Sequence, residues 1–228
     1  MRRGILIAVA LAMLAWASPA GAAQLLKDPS FEGSSAVSGQ GGNSPSWFEA
    51  DTVFGSPLCT QGEPALCGDG NPSPPLGDGP MAPRTGLWFA WFGGAPDGAA
   101  QSSSLAQSIT IPRGKAKLSF FFKQPTTGGD GDEVFSATID STTVFTATKD
   151  TPGFLTAYGE VSRDVSRFAN GKPHTLTLSF TNPTDNAGNR LVNTAVDDVG
   201  LLSRPCKKKK GKKGAAAARS KCKKKKKK

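Results

Sequence analysis

The feature that most constrains this chain is an apolar pattern of period two. "AKLSFFFKQP" places Leu118, Phe120 and Phe122 on one face and Lys117, Ser119 and Lys123 on the other. "HTLTLSFTNP" sets Leu176, Leu178 and Phe180 against Thr175, Thr177 and Ser179, and "SSLAQSITIP" aligns Leu105, Ile109 and Ile111. Alternation of this kind marks strands with one face buried. "SWFEADTVF", "LWFAWFGG", "DEVFSATID", "STTVFTATK", "GEVSRDVSRF" and "RLVNTAVDDVGLL" are further strand candidates. Between them stand turn clusters rich in Gly, Pro, Asn and Asp, such as "TTGGDGD" and "TNPTDNAGN". No segment of the body carries a helical repeat. About ten short strands without helices predict an all-β, antiparallel sandwich or barrel.

The ends differ from this body. "MRRGILIAVALAMLAWASPAGAA" joins two arginines, an apolar run from Ile5 to about Ala17 and a small-residue site at Ala20-Gly21-Ala22, the pattern of an export signal cut after Ala22 or Ala23. Its apolar core is shorter than the ~20 residues of a spanning helix, and no later segment is apolar enough to span. At the other end, Cys206 to Lys228 is a polybasic run that cannot bury a core, so a disordered tail is expected. The expected organisation is a signal peptide over 1–22, one sandwich domain over 23–205 and the tail over 206–228.

The formal charge of +10 is a property of that tail. Of 28 Lys and Arg, fourteen fall within 207–228 and two within 1–22, which leaves 12 to set against 18 acids, a net of −6. A folded nucleic-acid-binding domain ordinarily carries its own basic patch, so the acidic body speaks against a specific nucleic-acid partner. Lys207, Lys208, Lys209, Lys210, Lys212 and Lys213 are the first cations of a flexible tether for polyanions, with binding that weakens as salt rises.

Four cysteines suit an oxidising compartment and allow three pairings. Spacing favours two local bridges, Cys59 with Cys67 and Cys206 with Cys222. A single His and the absence of any C-x-x-C speak against zinc.

"LLKDPSFEGS" and "NTAVDDVGLLS" resemble the opening and closing strands of bacterial carbohydrate-binding-module-like jelly rolls with a galactose-binding-domain-like fold, and "TGLWFAWFGG", "SLAQSITIP" and "KLSFFFK" between them resemble the same module. The likeness runs from Leu25 to Ser203. It implies a two-sheet jelly-roll β-sandwich with adjacent first and last strands, and a structural calcium where they meet. Carried over residue by residue, that cation falls to Glu32 and Asp197 or Asp198, with Ser30 nearby. Calcium takes six to eight hard oxygens, and paired aspartates entering an apolar strand need a compensating cation or solvent. Asp28 stands where the family more often has Asn.

For a ligand, sugar-binding modules stack pyranose rings on exposed aromatics. Trp47, Trp88 and Trp91 are the candidates, with Asp185 and Asn186 of "NPTDNAGNR" as hydroxyl partners. Strand alternation puts Trp88, Ala90 and Phe92 on one face and Phe89 and Trp91 on the other, so a central strand covered by the segment from Ser34 to Arg84 is the competing reading. Catalysis has little behind it: His174 is the only His, no nucleophile elbow is present, and Asp130, Asp132 and Glu133 read as a solvated loop cluster or a second weak cation site rather than a glycosidase pair. The expectation is an exported or surface-associated, non-catalytic module for a glycan or cell-wall polymer. An adhesive surface protein without a sugar site is the alternative, and a secreted hydrolase ranks below both.

Overall fold

The computed structural model describes residues 22–37, 41–60, 81–95, 100–125, 132–148, 151–183 and 193–205. The expected signal peptide and the tail, including Lys207, Lys208, Lys209, Lys210, Lys212 and Lys213, lie outside them. Among the described residues eleven strands occur in the order β1 (Ala23–Gln24), β2 (Phe48–Asp51), β3 (Leu58–Thr60), β4 (Trp88–Gly93), β5 (Gln101–Thr110), β6 (Gly114–Lys123), β7 (Val134–Ile139), β8 (Thr142–Ala147), β9 (Gly159–Asp164), β10 (Pro173–Asn182) and β11 (Asn193–Pro205). A 3-10 turn, Ser166–Phe168, follows β9. Among the described residues no helix is long and apolar enough to cross a membrane.

The strands form two antiparallel sheets packed face to face. One has the order β3-β4-β11-β6-β9, with β1 also paired to β11, and the other has the order β2-β5-β10-β7-β8. The alternation reads directly onto this arrangement. Leu118, Phe120 and Phe122 of β6 and Leu176, Leu178 and Phe180 of β10 are buried between the sheets. Phe92, Phe120, Phe122, Phe135 and Phe145 meet there with ring centroids 4.9–6.5 Å apart, mostly edge to face. Each ring withdrawn from water contributes about 1.5–3 kcal/mol. Gln107 occupies an inward position of β5, where its side chain accepts from the Lys27 N–H (2.8 Å) and donates to the Lys27 carbonyl (3.0 Å), pinning the chain after β1 to the second sheet.

Two elements differ from expectation. β3 is an edge strand within the segment from Ser34 to Arg84, at a place where the alternation marks no strand, and Cys59 within it is buried and disulfide-bonded. Cys67, Cys206 and Cys222 lie outside the described residues. β2 is cut short at Asp51, because its Oδ1 turns back to accept the Val53 and Phe54 N–H groups at 2.8 and 2.9 Å, bending the chain out of the sheet.

Candidate functional site

β11 is the axis of the first sheet. Its N-terminal part pairs β4 through Asn193–Val196, and further on the same edge pairs β1 through Leu202 and Ser203. Between these pairings the ladder to β6 shifts register from Asp197 to Gly200. The extra length is absorbed by Asp198, whose φ of 50° is left-handed. Asp28 (φ 48°) and Phe31 (φ 64°) adopt the same strained region in the facing turn, so three of the four described non-glycine residues with positive φ gather at this junction.

The carboxylates there hold backbone. Asp197 is fully buried; its Oδ2 accepts the N–H groups of Arg84 (2.7 Å) and Thr85 (3.0 Å), and its Oδ1 accepts that of Asp198 (2.7 Å). Burial raises its pKa to about 6, with the neighbouring charge of Asp198 adding to the rise and the N–H bonds opposing it. Asp198 takes the Arg84 guanidinium at 2.6 Å and the Thr85 hydroxyl at 2.7 Å. Arg84 in turn lies 3.4 Å over the Phe121 ring. Glu32 accepts the Leu87 and Trp88 N–H groups at 2.9–3.1 Å. Gly86, at φ +64°, is held so close that a Cβ would sit 2.2 Å from Glu32 Oε1.

The calcium expectation is changed by this geometry. The oxygens of Glu32, Asp197 and Asp198 already face N–H and O–H donors, and the Arg84 guanidinium supplies positive charge. Ser30 lies in the turn beside them. Asp28 Oδ2 is a buried oxygen without a hydrogen-bond partner, one atom where a cation needs six to eight. Among the described residues no three His, Cys, Asp or Glu side chains gather as a metal site. As arranged, the donors do not fit the cage; they clamp residues 84–88 across the gap between β1 and β4.

The aromatic expectations are also corrected. Trp47 (4% exposed) and Trp88 (8%) are core residues: Trp47 packs on Phe31 at 5.5 Å and donates its Nε1–H to the Asp28 carbonyl at 2.9 Å. Neither offers a face to a sugar. Trp91 is half-buried on the outer side of the first sheet, stacked on Phe54 at 6.0 Å and bonded through Nε1 to Asn193 Oδ1 at 2.7 Å. Gly94 closes against the same indole, where a Cβ would lie 2.4 Å away. Asp185, Asn186 and Asp130 lie outside the described residues. Asp132 is exposed and Glu133 buried. His174 is buried, with Nδ1 on Asp140 (2.8 Å) and Nε2 on Asn170 Oδ1 (3.1 Å), so both ring nitrogens are committed.

What sequence reasoning missed is one position further along β2. Phe48 is 76% exposed, because alternation in "SWFE" that buries Trp47 turns its neighbour outward. Phe48 pairs Ala106, and the outward row continues across the sheet to Thr177 and Thr138. The next row runs Ala50, Ser104, Ser179, Ser136 and Thr146, with Ser136 and Ser179 hydroxyls bonded at 2.9 Å. Ser102, Ser108, Thr110, Thr175 and Thr181 extend the same surface. Among the described residues no strand of this sheet presents a charged side chain outward; Asp140 and Lys172 stand beyond the strand ends. Strands about 4.8 Å apart, with outward residues roughly 6.7 Å apart along each, make this a neutral grid of hydroxyls rimmed by one exposed aromatic ring.

No protein-family model matches the chain, and no curated protein is similar to it in sequence. Solved structures similar in fold include TmCBM61 in complex with β-1,4-galactotriose (14% identity, 80% of this chain and 99% of that one, TM-score 0.49). Others are the K2 adhesin domain of Lys-gingipain (13%, 77% and 97%, 0.48) and a Stig cyclase from Fischerella sp. TAU (13%, 81% and 98%, 0.46). Their diversity of role assigns neither ligand nor activity to this chain.

Proposed function

We propose that this protein is an exported, non-catalytic recognition module that binds a neutral polysaccharide of the cell surface or surroundings through the outer face of the five-stranded sheet, with the Lys-rich tail as a tether to polyanions. The observation that carries the reading is Phe48: an exposed ring beside a charge-free bank of Ser and Thr hydroxyls. An aromatic face matches the C–H face of a pyranose, and hydroxyls that both donate and accept suit sugar hydroxyls without fixing charge. An extended sheet face suits a chain-like ligand better than a small one, which would need a concave site.

The test is retention of the full chain on a panel of insoluble neutral polysaccharides at high salt, where tail contributions are screened. Wild type is expected to be retained by at least one of them and Phe48→Ala to be lost from it. Equal retention of the two, or no retention of either, overturns the reading.

A further inference from the structure

The net acidity of the body conceals a basic pole. Of the ten Lys and Arg among residues 22–205 that are described, seven lie exposed at one end of the sandwich. Arg113, Lys115 and Lys117 come from the corner between β5 and β6, and Arg163 and Arg167 from the close of β9 and the 3-10 turn. Lys172 enters β10, and Arg204 leaves β11 opposite Lys115. Asp140, Asp164 and Glu160 bring negative charge to that end; Asp140 is bonded to His174, and Glu160 accepts from the Lys117 ammonium at 3.4 Å. The Lys-rich sequence follows from Pro205 at the same end, since Pro205 pairs Gly114.

Two grooves cut this pole. One, of about 480 Å³, is lined by Arg163 and Arg167 with Thr143 and Val144. The other, of about 350 Å³, is lined by Lys115, Lys117 and Arg204. Asp164 and Ser166 belong to both, so the grooves share a wall.

We infer that this pole is a binding surface for a linear acidic polysaccharide, a chain bearing carboxylates at intervals. Cations on both sides of a shared wall fit an extended anion better than a single small one. The forked guanidiniums of Arg163 and Arg167 suit carboxylate oxygens, and the lysines of the second groove act as point charges for the next residue of the chain. In the wall the Asp164 carboxylate repels a bare anion, and together with the Ser166 hydroxyl it matches sugar hydroxyls between charged groups. A nucleic acid is disfavoured because single strands are held by stacking on exposed aromatics. At this pole the rings are spent: Phe145 and Phe168 are 6% and 9% exposed and lie beneath Arg163 and Arg167. This surface is separate from Phe48 and stands whether or not that face binds sugar.

The experiment measures binding of the full chain to polygalacturonate, to a neutral galactan and to single-stranded oligo-dT, over a range of salt. The variant Lys115→Gln/Arg163→Gln/Arg167→Gln/Arg204→Gln is compared with a second in which Lys207, Lys208, Lys209, Lys210, Lys212 and Lys213 are Gln. The pole variant is expected to lose polygalacturonate affinity roughly tenfold or more, the sum of several exposed charge contacts, with a shallower salt dependence. The tail variant keeps the difference between polygalacturonate and oligo-dT. All four pole residues are exposed, and an unchanged unfolding midpoint verifies the fold; should the combination unfold, Arg167→Gln alone carries the test with a drop of about threefold. Unaltered polygalacturonate binding in the pole variant overturns the inference. So does oligo-dT bound as tightly as polygalacturonate and lost in parallel with it.

Discussion

Replacing Asp197 by Ala removes the acceptor of three backbone N–H groups, those of Arg84, Thr85 and Asp198 at 2.7–3.0 Å, from a fully buried position. Hydrogen bonds to a charged group contribute about 1.5–3 kcal/mol each, but the Arg84 and Thr85 amides reach water once the strap opens, and burial already penalises the charge. At pH 8 the expected loss is therefore about 1–3 kcal/mol, or a few degrees of midpoint for a domain of this size. The sharper expectation is its pH dependence. The folded pKa of about 6 lies above the ordinary 3.8, so the folded state binds the proton more tightly than the unfolded one. The stability this confers is fully present below 3.8 and lost as pH rises through 6. At pH 5 it amounts to about one pKa unit, roughly 1.4 kcal/mol, and at pH 8 it is close to zero. The gap between wild type and Asp197→Ala should widen by that amount from pH 8 to pH 5. Urea unfolding followed by the fluorescence of Trp47, Trp88 and Trp91 at the two pH values measures it. Glu49, whose pKa burial also raises, is common to both proteins and cancels in the difference. A gap that is equal or narrower at pH 5 would refute the reasoning.

Chelation of divalent cations should leave the thermal midpoint unchanged, whereas Arg84→Ala should cost about 1 kcal/mol, discounted for its partial exposure; a midpoint that falls with chelator would restore the calcium site. Trp47→Ala should cost about 3–5 kcal/mol in denaturant titration, as for other core aromatics, while Phe48→Ala in the adjacent position should leave stability within about 0.5 kcal/mol. Gly86→Ala should lower the midpoint in a thermal scan, because the position combines φ +64° with a Cβ 2.2 Å from Glu32 Oε1; an unchanged midpoint means the strap has slack.

The sandwich was legible because its information is local. Parity along "KLSFFFK" and "HTLTLSF" separates core from surface without reference to any other segment, and the buried residues follow it. The same parity also held the site: it requires that Phe48 face away from Trp47, but a short strand beginning at residue 48 leaves too few positions to establish which of two aromatics is inward. The junction at Asp197 was legible only in part. Two aspartates entering an apolar strand signal a charge to be neutralised, and the Arg84 guanidinium answers that need at Asp198 from 114 residues away, a distance over which sequence pattern carries no register. β3 was missed because three residues at a sheet edge are too short to show alternation.

Charge shows the difference most clearly. A sum over residues 23–205 is negative, and a sum has no direction. Strand pairing supplies the direction: β5 and β6 turn at Arg113, one connection runs from the close of β9 at Asp164 to the opening of β10 at Pro173, and β11 ends at Pro205, so all three places deliver their basic residues to one end. The hydroxyl face lies along the strands and the basic pole across their ends. Contacts on the two surfaces thus differ in physical character as well as place. Hydrogen bonding and stacking on a neutral face persist at salt concentrations that screen the pole, because the Debye length falls from about 10 Å at 0.1 M to about 3 Å at 1 M. A polymer that carries both neutral and acidic sugars can engage both surfaces at once, each raising the effective concentration for the other. Salt therefore separates the two contributions without any substitution.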